Sequence, residues 1–211
     1  MPSYYPTYLN LSGKKCVILG GGTETGKKLP RLIECGADIT VVTPKTTRKV
    51  LQIINTNGIR LVKRTYQDGD LQGAFLAIDA TNDNATNEAV SKEAIREKVV
   101  LNVVDVTHLC DFIAPAVVVR GEVTAAISTG GASPALARKL REELEASDVM
   151  QWADLLNVIR DARAELRKRG IKVKPDRWQE CIDGSLLTMA QSGKTSAAIE
   201  KLVKRLCKDH V

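Results

Sequence analysis

The chain has 211 residues, of which 44% are hydrophobic and 27% are charged, and its formal net charge is +6. This composition excludes a disordered chain and suits one sizeable domain with a smaller addition. No apolar run approaches the roughly 20 residues of a membrane span, and the N-terminus lacks the features of a secretory signal. The five cysteines form no C-x-x-C pair, which disfavours a disulfide framework and a structural zinc site. We expect a cytoplasmic protein without a membrane partner.

The first half of the chain alternates apolar runs with helical periodicity. Five short apolar runs are predicted as strands, at residues 15–19, 38–43, 59–62, 75–80 and 99–104. Helices are predicted between them at residues 25–35, 46–57 and 84–97. Strands that alternate with helices of this length form βαβ units with a parallel sheet. Because the strands are continuously apolar, we expect helices on both faces of the sheet.

The pattern changes after residue 104. Two strands around a tight turn are predicted at residues 113–120 and 123–128, followed by a helix over 135–145 with Ser133 as its N-cap and Pro134 at its first position. Further helices are predicted at 150–169, 175–181 and 195–208. The expected domains are therefore residues 1–113, 114–149 and 150–211.

Positive charge is concentrated near the C-terminus. Residues 151–211 contain 13 lysines and arginines against 8 acidic residues, which is +5 of the total of +6. This imbalance indicates an anionic partner, for which nucleic acid, phosphate and polycarboxylates are candidates, or else a solvated helical face. Aromatic residues are only 4% of the chain, which disfavours a stacking surface for single-stranded nucleic acid.

A glycine-rich turn follows the first predicted strand and precedes the first helix. Gly20 would permit the tight turn, and Gly22 would let the backbone approach a pyrophosphate. Thr23 and Glu24 lie between this turn and the predicted helix, whose N-terminal N–H groups would face the phosphates, and they are predicted cofactor contacts with the two glycines. The third position of the G-x-G-x-x-G motif is Thr25 instead of glycine. This context predicts a dinucleotide site.

The residues after the second strand leave the choice between NAD and NADP open. Thr43 and Pro44 end this strand without an acidic residue for a ribose hydroxyl. Lys45, Arg48 and Lys49 would suit a 2′-phosphate, or would only solubilise the next helix. Thr81 and Asn82 follow the fourth strand at the same edge of the sheet. Of these two, Thr81 is the predicted cofactor contact, and capping of the following helix is the alternative.

Asp105 ends the fifth predicted strand and is the candidate catalytic residue, because chemistry in open α/β sheets occurs at the carboxyl ends of the strands. His108, Cys110 and Asp111 follow within six residues. Their spacing matches no common set of metal ligands, so we predict no metal site.

Several motifs, in unbroken order over roughly residues 5–150, resemble the precorrin-2 dehydrogenase and sirohydrochlorin ferrochelatase family, the first module of siroheme synthases. They are LGGG at 19–22, ECGADITVVTP at 34–44, ATND at 80–83, NVVD at 102–105, CDFIAPA at 110–116 and ISTGGASP at 127–134. The chain departs from the usual small apolar pair of this family at Glu24 and Thr25. Since no methyltransferase module follows, it resembles the stand-alone form.

The resemblance implies a Rossmann-like NAD-binding domain, a small α+β dimerisation segment and a C-terminal helical domain. It implies oxidation of precorrin-2 to sirohydrochlorin by NAD⁺, with Asp105 as general base and NAD preferred over NADP. It also implies a homodimer formed through residues 114–149. Ser128 and His108 are candidate substrate contacts, although Ser128 could be an ordinary serine at a strand end.

The substrate implied by this resemblance is a polycarboxylate, which agrees with the basic C-terminal third, and we expect no nucleic-acid partner. Two alternatives remain open. The first is insertion of Fe²⁺ or Co²⁺ into sirohydrochlorin, alone or beside the oxidation. The second is a non-catalytic NAD(H) sensor.

Overall fold

A computed structural model describes residues 4–208. The chain divides into two compact units, Met1–Ala114 and Pro115–Val211. The expected division of the second unit into residues 114–149 and 150–211 stays a prediction.

The first unit contains one parallel sheet. Its strands are β1 (Lys15–Leu19), β2 (Asp38–Val42), β3 (Arg60–Val62), β4 (Leu76–Asp79) and β5 (Val100–Val103). Its helices are α1 (Thr23–Glu34), α2 (Arg48–Thr56) and α3 (Asn84–Glu97). The strand order is β3-β2-β1-β4-β5, and every neighbouring pair is parallel. The predicted Rossmann-like α/β fold is thereby confirmed.

Both faces of the sheet are buried, which explains why the strands are continuously apolar. Cys16 and Ile18 of β1 face a core that includes Leu29 of α1 and Val50 of α2. Val17 and Leu19 of the same strand face a second core with Val90 and Ala94 of α3. Strand β1 is thus central, and the side chains on its two faces pack against different helices.

The second unit opens with an antiparallel hairpin of β6 (Ala116–Arg120) and β7 (Val123–Ile127). Helix α4 (Pro134–Ala146) follows, and Ser133 caps it by accepting a hydrogen bond from the backbone N–H of Leu136 at 3.2 Å. The predicted cap and the position of Pro134 are confirmed. The first strand begins three residues later than predicted, after Pro115, which has no N–H to donate to a ladder.

The remaining segments are helical. They are a 3₁₀ segment (Asp148–Leu155), α5 (Leu156–Lys168), α6 (Pro175–Cys181), α7 (Gly184–Gln191) and α8 (Thr195–Cys207). The single helix predicted over residues 150–169 is wrong for its first turns, which are 3₁₀. Helix α7 was not predicted, because Gly184 is at its first position; Asp183 starts it by accepting from the N–H of Leu186 at 3.0 Å. None of the described helices is long and apolar enough to cross a membrane.

Candidate dinucleotide site

The chain leaves neighbouring strands β1 and β4 toward opposite faces of the sheet. Strand β1 leads to α1 in one core, and β4 leads to α3 in the other. In open α/β sheets such a reversal leaves a crevice at the carboxyl edge, where ligands bind. The predicted glycine turn and the predicted Thr81 both lie at this edge.

Glycine is needed at position 20 because the chain turns there and because the backbone of Ala80 lies close to it. Its φ of +102° lies in the left-handed region that glycine favours. A Cβ at this position would lie 2.5 Å from the carbonyl oxygen of Ala80. Gly20 therefore allows the β1–α1 turn to pack directly against the β4–α3 turn.

Gly21 has a steric role that sequence reasoning missed. A Cβ here would lie 2.3 Å from the backbone oxygen of Lys45 and 2.9 Å from Cγ2 of Thr43. The N–H of Thr47 donates to the Gly21 oxygen at 3.0 Å. Gly21 thus lets the segment after β2 pack beneath the glycine turn; the run of three glycines was the only signal for it.

Gly22 differs from its two neighbours because it faces open space. No heavy atom lies within 4 Å of a Cβ built on it. It precedes α1 without any side-chain cap, so the N–H groups of the first turn point toward this space. Thr23 and Glu24 lie in that turn, where Glu24 pairs with Lys27 at 2.5 Å. This opening beside an uncapped helix N-terminus suits a pyrophosphate.

Thr25 occupies the third motif position and is completely buried. Its Oγ1 donates to the carbonyl oxygen of Gly20 at 2.8 Å. The hydroxyl therefore ties the helix to the turn, and a threonine at this position is compatible with the geometry of the turn.

The segment after β2 contains a buried threonine and exposed basic residues. Thr43 is 4% exposed, and its Oγ1 donates to the oxygen of Lys45 at 2.8 Å. Pro44 and the side chains of Lys45 and Arg48 are exposed. Residues 43–49, which follow β2, contain only neutral and basic side chains.

A buried carboxylate, Asp79, ends β4. Its Oδ1 accepts from the N–H of Thr81 at 3.0 Å and from Thr81 Oγ1 at 2.6 Å. Asn87 of α3, with its amide nitrogen turned toward Asp79, donates to Oδ2 at 2.9 Å. Burial raises the pKa of Asp79 and the charge of Asp83 adds to this, whereas the hydrogen bonds from Thr81 lower it. Sequence reasoning missed Asp79 because it stands within an apolar strand.

Helix α3 is capped by Asp83, which accepts from the N–H of Thr86 at 2.9 Å. The alternative that Thr81 or Asn82 caps this helix is therefore wrong. Thr81 is half-buried in the turn beside Gly20, and its role as a cofactor contact stays a prediction.

Asp105 lies two residues after β5, in a turn closed by a hydrogen bond from the N–H of Val106 to the oxygen of Val103 at 3.2 Å. Its side chain is exposed, and its φ of +62° is left-handed. For a residue other than glycine this conformation costs about 1–2 kcal/mol. Strained residues of this kind concentrate at functional sites, which supports Asp105 as the candidate catalytic residue.

The segment after this turn is fastened back onto β5. Asp111 exchanges two hydrogen bonds with the backbone of Leu101, at 2.8 and 3.0 Å. Asn102 donates to the oxygen of Phe112 at 2.9 Å. The Cys110 thiol lies 3.2 Å from the N and O of Val103. These contacts hold the Asp105 turn at the sheet edge.

His108 is exposed in a short 3₁₀ turn, Thr107–Leu109. Asp111 and Cys110 are engaged with backbone groups, as described above. Within residues 4–208, no group of three or more histidine, cysteine or acidic side chains is arranged to hold a metal ion.

Ser128 belongs to the second unit and directly follows β7. Its side chain is exposed, and its Oγ accepts from the N–H of Gly130 at 3.1 Å. The hydroxyl proton is not used by that bond. Its proposed contact with substrate stays a prediction.

Comparisons with known proteins agree with the resemblance noted in the sequence. Residues 7–116 match a family described as "Putative NAD(P)-binding", and residues 120–147 match one described as "Sirohaem biosynthesis protein central". The chain is 34% identical over 203 residues to a siroheme synthase of Methylococcus capsulatus and 34% identical over 206 residues to one of Nitrosomonas eutropha. These alignments cover 95% and 96% of this chain but 43% of each relative.

The solved structure of SirC, described as a precorrin-2 dehydrogenase, has a similar fold. The TM-score is 0.73 at 24% identity, and the match covers 95% of this chain and 100% of SirC. The chain thus spans less than half the length of the siroheme synthases and the full length of this structure.

Proposed function

Since this chain belongs to the NAD(P)-binding family that matches residues 7–116 and is homologous to siroheme synthases, we propose that it oxidises precorrin-2 to sirohydrochlorin with NAD⁺. The observation that carries the proposal is the opening at Gly22, beside the uncapped N-terminus of α1. Such an opening accommodates a dinucleotide pyrophosphate.

The cofactor contacts proposed from the sequence divide into three groups. The group proposed at the pyrophosphate consists of Gly20, Gly22, Thr23 and Glu24. The group proposed at the adenosine consists of Thr43, Pro44 and Lys45. Thr81, in the turn after β4, is the third. The absence of a carboxylate after β2 does not favour NAD over NADP by itself. We propose NAD because the motifs at 19–22, 34–44 and 80–83 resemble a family that prefers NAD.

The reaction removes two hydrogens from precorrin-2, one as hydride and one as a proton. NAD⁺ supplies the hydride acceptor. We propose that the Asp105 carboxylate takes the proton, because it is exposed at the carboxyl edge of the sheet and is held in a fixed turn. His108 and Ser128 are proposed to contact the substrate, and basic side chains of the C-terminal third to attract its carboxylates.

A homodimer is proposed through residues 114–149, because the second unit exposes large apolar side chains. Those in or next to this segment are Val119, Leu136, Leu140 and Val149, each between 45% and 62% exposed. Leu136→Asp is expected to convert a dimer into a monomer in sedimentation velocity. Ile95→Asp, at a 77% exposed position of the first unit, is the control. A Leu136→Asp variant that stays dimeric would contradict this interface.

We propose that the protein acts in the cytoplasm, since all five cysteines are free thiols. Free thiols are typical of a reducing compartment.

Anaerobic incubation with precorrin-2 tests the function, with and without NAD⁺ and with and without Fe²⁺ or Co²⁺. We expect the absorbance of sirohydrochlorin only when NAD⁺ is present, independently of metal. Metal uptake by sirohydrochlorin without NAD⁺ would assign chelation, and NADH binding without turnover would assign a sensor.

The cofactor site is tested by Gly22→Val, which we expect to block NADH binding by filling the pyrophosphate position. Gly184→Val is the matched control, because Gly184 also begins a helix and faces open space. Equal NADH affinity in both variants would place the cofactor elsewhere.

A further inference from the structure

Asp79 is a buried carboxylate that the proposed chemistry does not use. It is 1% exposed and pairs in register with Leu19, directly below the glycine turn. Within residues 4–208 no lysine or arginine forms a salt bridge with it. A buried charge without an ionic partner is costly unless hydrogen bonds satisfy it. The hydrogen bonds of the Asp79 carboxylate therefore indicate its role.

Two of these hydrogen bonds come from Thr81, through the backbone N–H and through Oγ1, and a third comes from the Asn87 amide. The second amide proton of Asn87 goes to the oxygen of Asp83 at 3.1 Å. The hydrogen-bond donors around Asp79 are thus neutral, and each of them donates to Asp79 or Asp83. The Asp79 carboxylate acts as a fixed acceptor for this turn.

The hydrogen bond to Asp79 determines which further partners the Thr81 hydroxyl can bind. A threonine hydroxyl has one proton and two lone pairs. The 2.6 Å hydrogen bond directs that proton at Asp79. The amide atom of Asn87 that lies 3.3 Å from Oγ1 is, in the orientation used above, the nitrogen that donates to Asp79 and Asp83. Lone pairs of Oγ1 therefore remain for another partner. Phosphate and carbonyl oxygens, which are acceptors, cannot bond to it, whereas a hydroxyl or an amide N–H can.

We propose that Asp79 is a positioning residue that fixes Thr81 Oγ1 as a hydrogen-bond acceptor for a donor group of the bound dinucleotide. Two groups of a nicotinamide dinucleotide have this chemistry, the ribose hydroxyls and the carboxamide NH₂. The proposal depends on the proposed function only in taking a nicotinamide dinucleotide as the ligand. Thr81 lies beside Gly20, at the crevice where such a ligand would bind.

The first test is NADH titration, followed by fluorescence, of Thr81→Val and Thr81→Ser. Removing the hydroxyl is expected to weaken NADH binding about fivefold, as for one net hydrogen bond. Thr81→Ser keeps the hydroxyl and is expected to restore the affinity to within about twofold. Thr86→Val is the matched control, because Thr86, in the first turn of α3, makes the same kind of bond to Asp83 at 2.6 Å in a solvent-exposed position. An unweakened Thr81→Val variant would overturn the proposal.

The second test combines Asp79→Ala with Thr81→Val. If Asp79 acts through the Thr81 hydroxyl, Asp79→Ala weakens NADH binding in the wild-type background and has no further effect on Thr81→Val. Asp79→Asn retains a carbonyl acceptor and is expected to restore the affinity. A purely structural role for Asp79 gives the same loss in both backgrounds and overturns the proposal. If Asp79→Ala does not fold, Asp79→Asn and the Thr81 variants decide.

The two donor groups are separated with the 3-acetylpyridine analogue of NADH, which has the ribose hydroxyls but no carboxamide NH₂. If the carboxamide is the donor, Thr81→Val does not weaken binding of the analogue. If a ribose hydroxyl is the donor, Thr81→Val weakens binding of the analogue as much as it weakens binding of NADH. These titrations need no precorrin-2, so a failure to oxidise precorrin-2 with the NADH results intact would refute the proposed function alone. A wild-type chain that does not bind NADH would overturn both.

Discussion

The three consecutive glycines of the β1–α1 turn should respond differently to the same substitution. At Gly21 an added Cβ lies 2.3 Å from the Lys45 oxygen, so the backbone after β2 must move by about 1 Å to reach ordinary contact. That movement strains two hydrogen bonds, from Thr43 Oγ1 to Lys45 and from Thr47 to Gly21, at 2.8 and 3.0 Å. Overpacking costs about 1–3 kcal/mol and a lost hydrogen bond about 1 kcal/mol. We expect Gly21→Ala to destabilise the first unit by about 2–4 kcal/mol.

Calorimetry measures this loss as a fall in the melting temperature of roughly 10 °C or more for a unit of this size. Hydrogen exchange should assign the lost protection to β1 and β2. Gly22→Ala is the matched control, since its Cβ meets no atom within 4 Å, and it is expected to stay within about 1 kcal/mol of wild type. Equal stability of the Gly21→Ala and Gly22→Ala variants would refute the steric reasoning.

Three further predictions concern single side chains. Asp105→Ala should lower precorrin-2 oxidation by about 10²-fold or more without changing NADH affinity; Asp105→Gly should be equally inactive but about 1 kcal/mol more stable than Asp105→Ala in thermal unfolding, because φ is +62°. Hydrogen bonds from Ser185 and Leu186 and the charge of Arg205 lower the pKa of Asp183 to about 2, so its contribution to stability is present above about pH 4 and is lost as pH falls toward 2. In urea unfolding Asp183→Ala should therefore be about 1 kcal/mol less stable than wild type at neutral pH. This difference in the free energy of unfolding should shrink as the pH falls from about 4 to about 2. Burial raises the pKa of Cys16 to about 11, so Ellman's reagent should modify it only after unfolding; reaction of Cys16 in the native protein would contradict the packing of β1.

The sheet and its helices could be predicted because their signals are local. Continuous apolar runs of four to six residues separated by helical periodicity specify a doubly covered parallel sheet, and all five strands formed. The start of α4 was predictable for the same reason, since Ser133 and Pro134 are adjacent to the helix they begin. The errors occurred where local patterns are ambiguous, as in the 3₁₀ segment Asp148–Leu155 and in α7.

The candidate site could be predicted only in part, because its packing joins residues distant in sequence. Gly20 and Gly22 belong to a known spacing, but the requirement for Gly21 arises from contact with Lys45 after another strand. Asp79 appeared to be part of an apolar strand, and its purpose depends on Thr81 and Asn87. Spacing alone shows which residue types stand near a strand end but not which proton each of them donates.

In the proposed function, a dinucleotide bound at the glycine turn accepts the hydride removed from precorrin-2. The most direct measurement of this step is the yield of NADH against sirohydrochlorin in an anaerobic single turnover, for wild type and for Gly22→Val. We expect equimolar NADH and sirohydrochlorin from the wild type and neither product from the variant. Sirohydrochlorin formed without NADH, or formed equally well by Gly22→Val, would contradict the account.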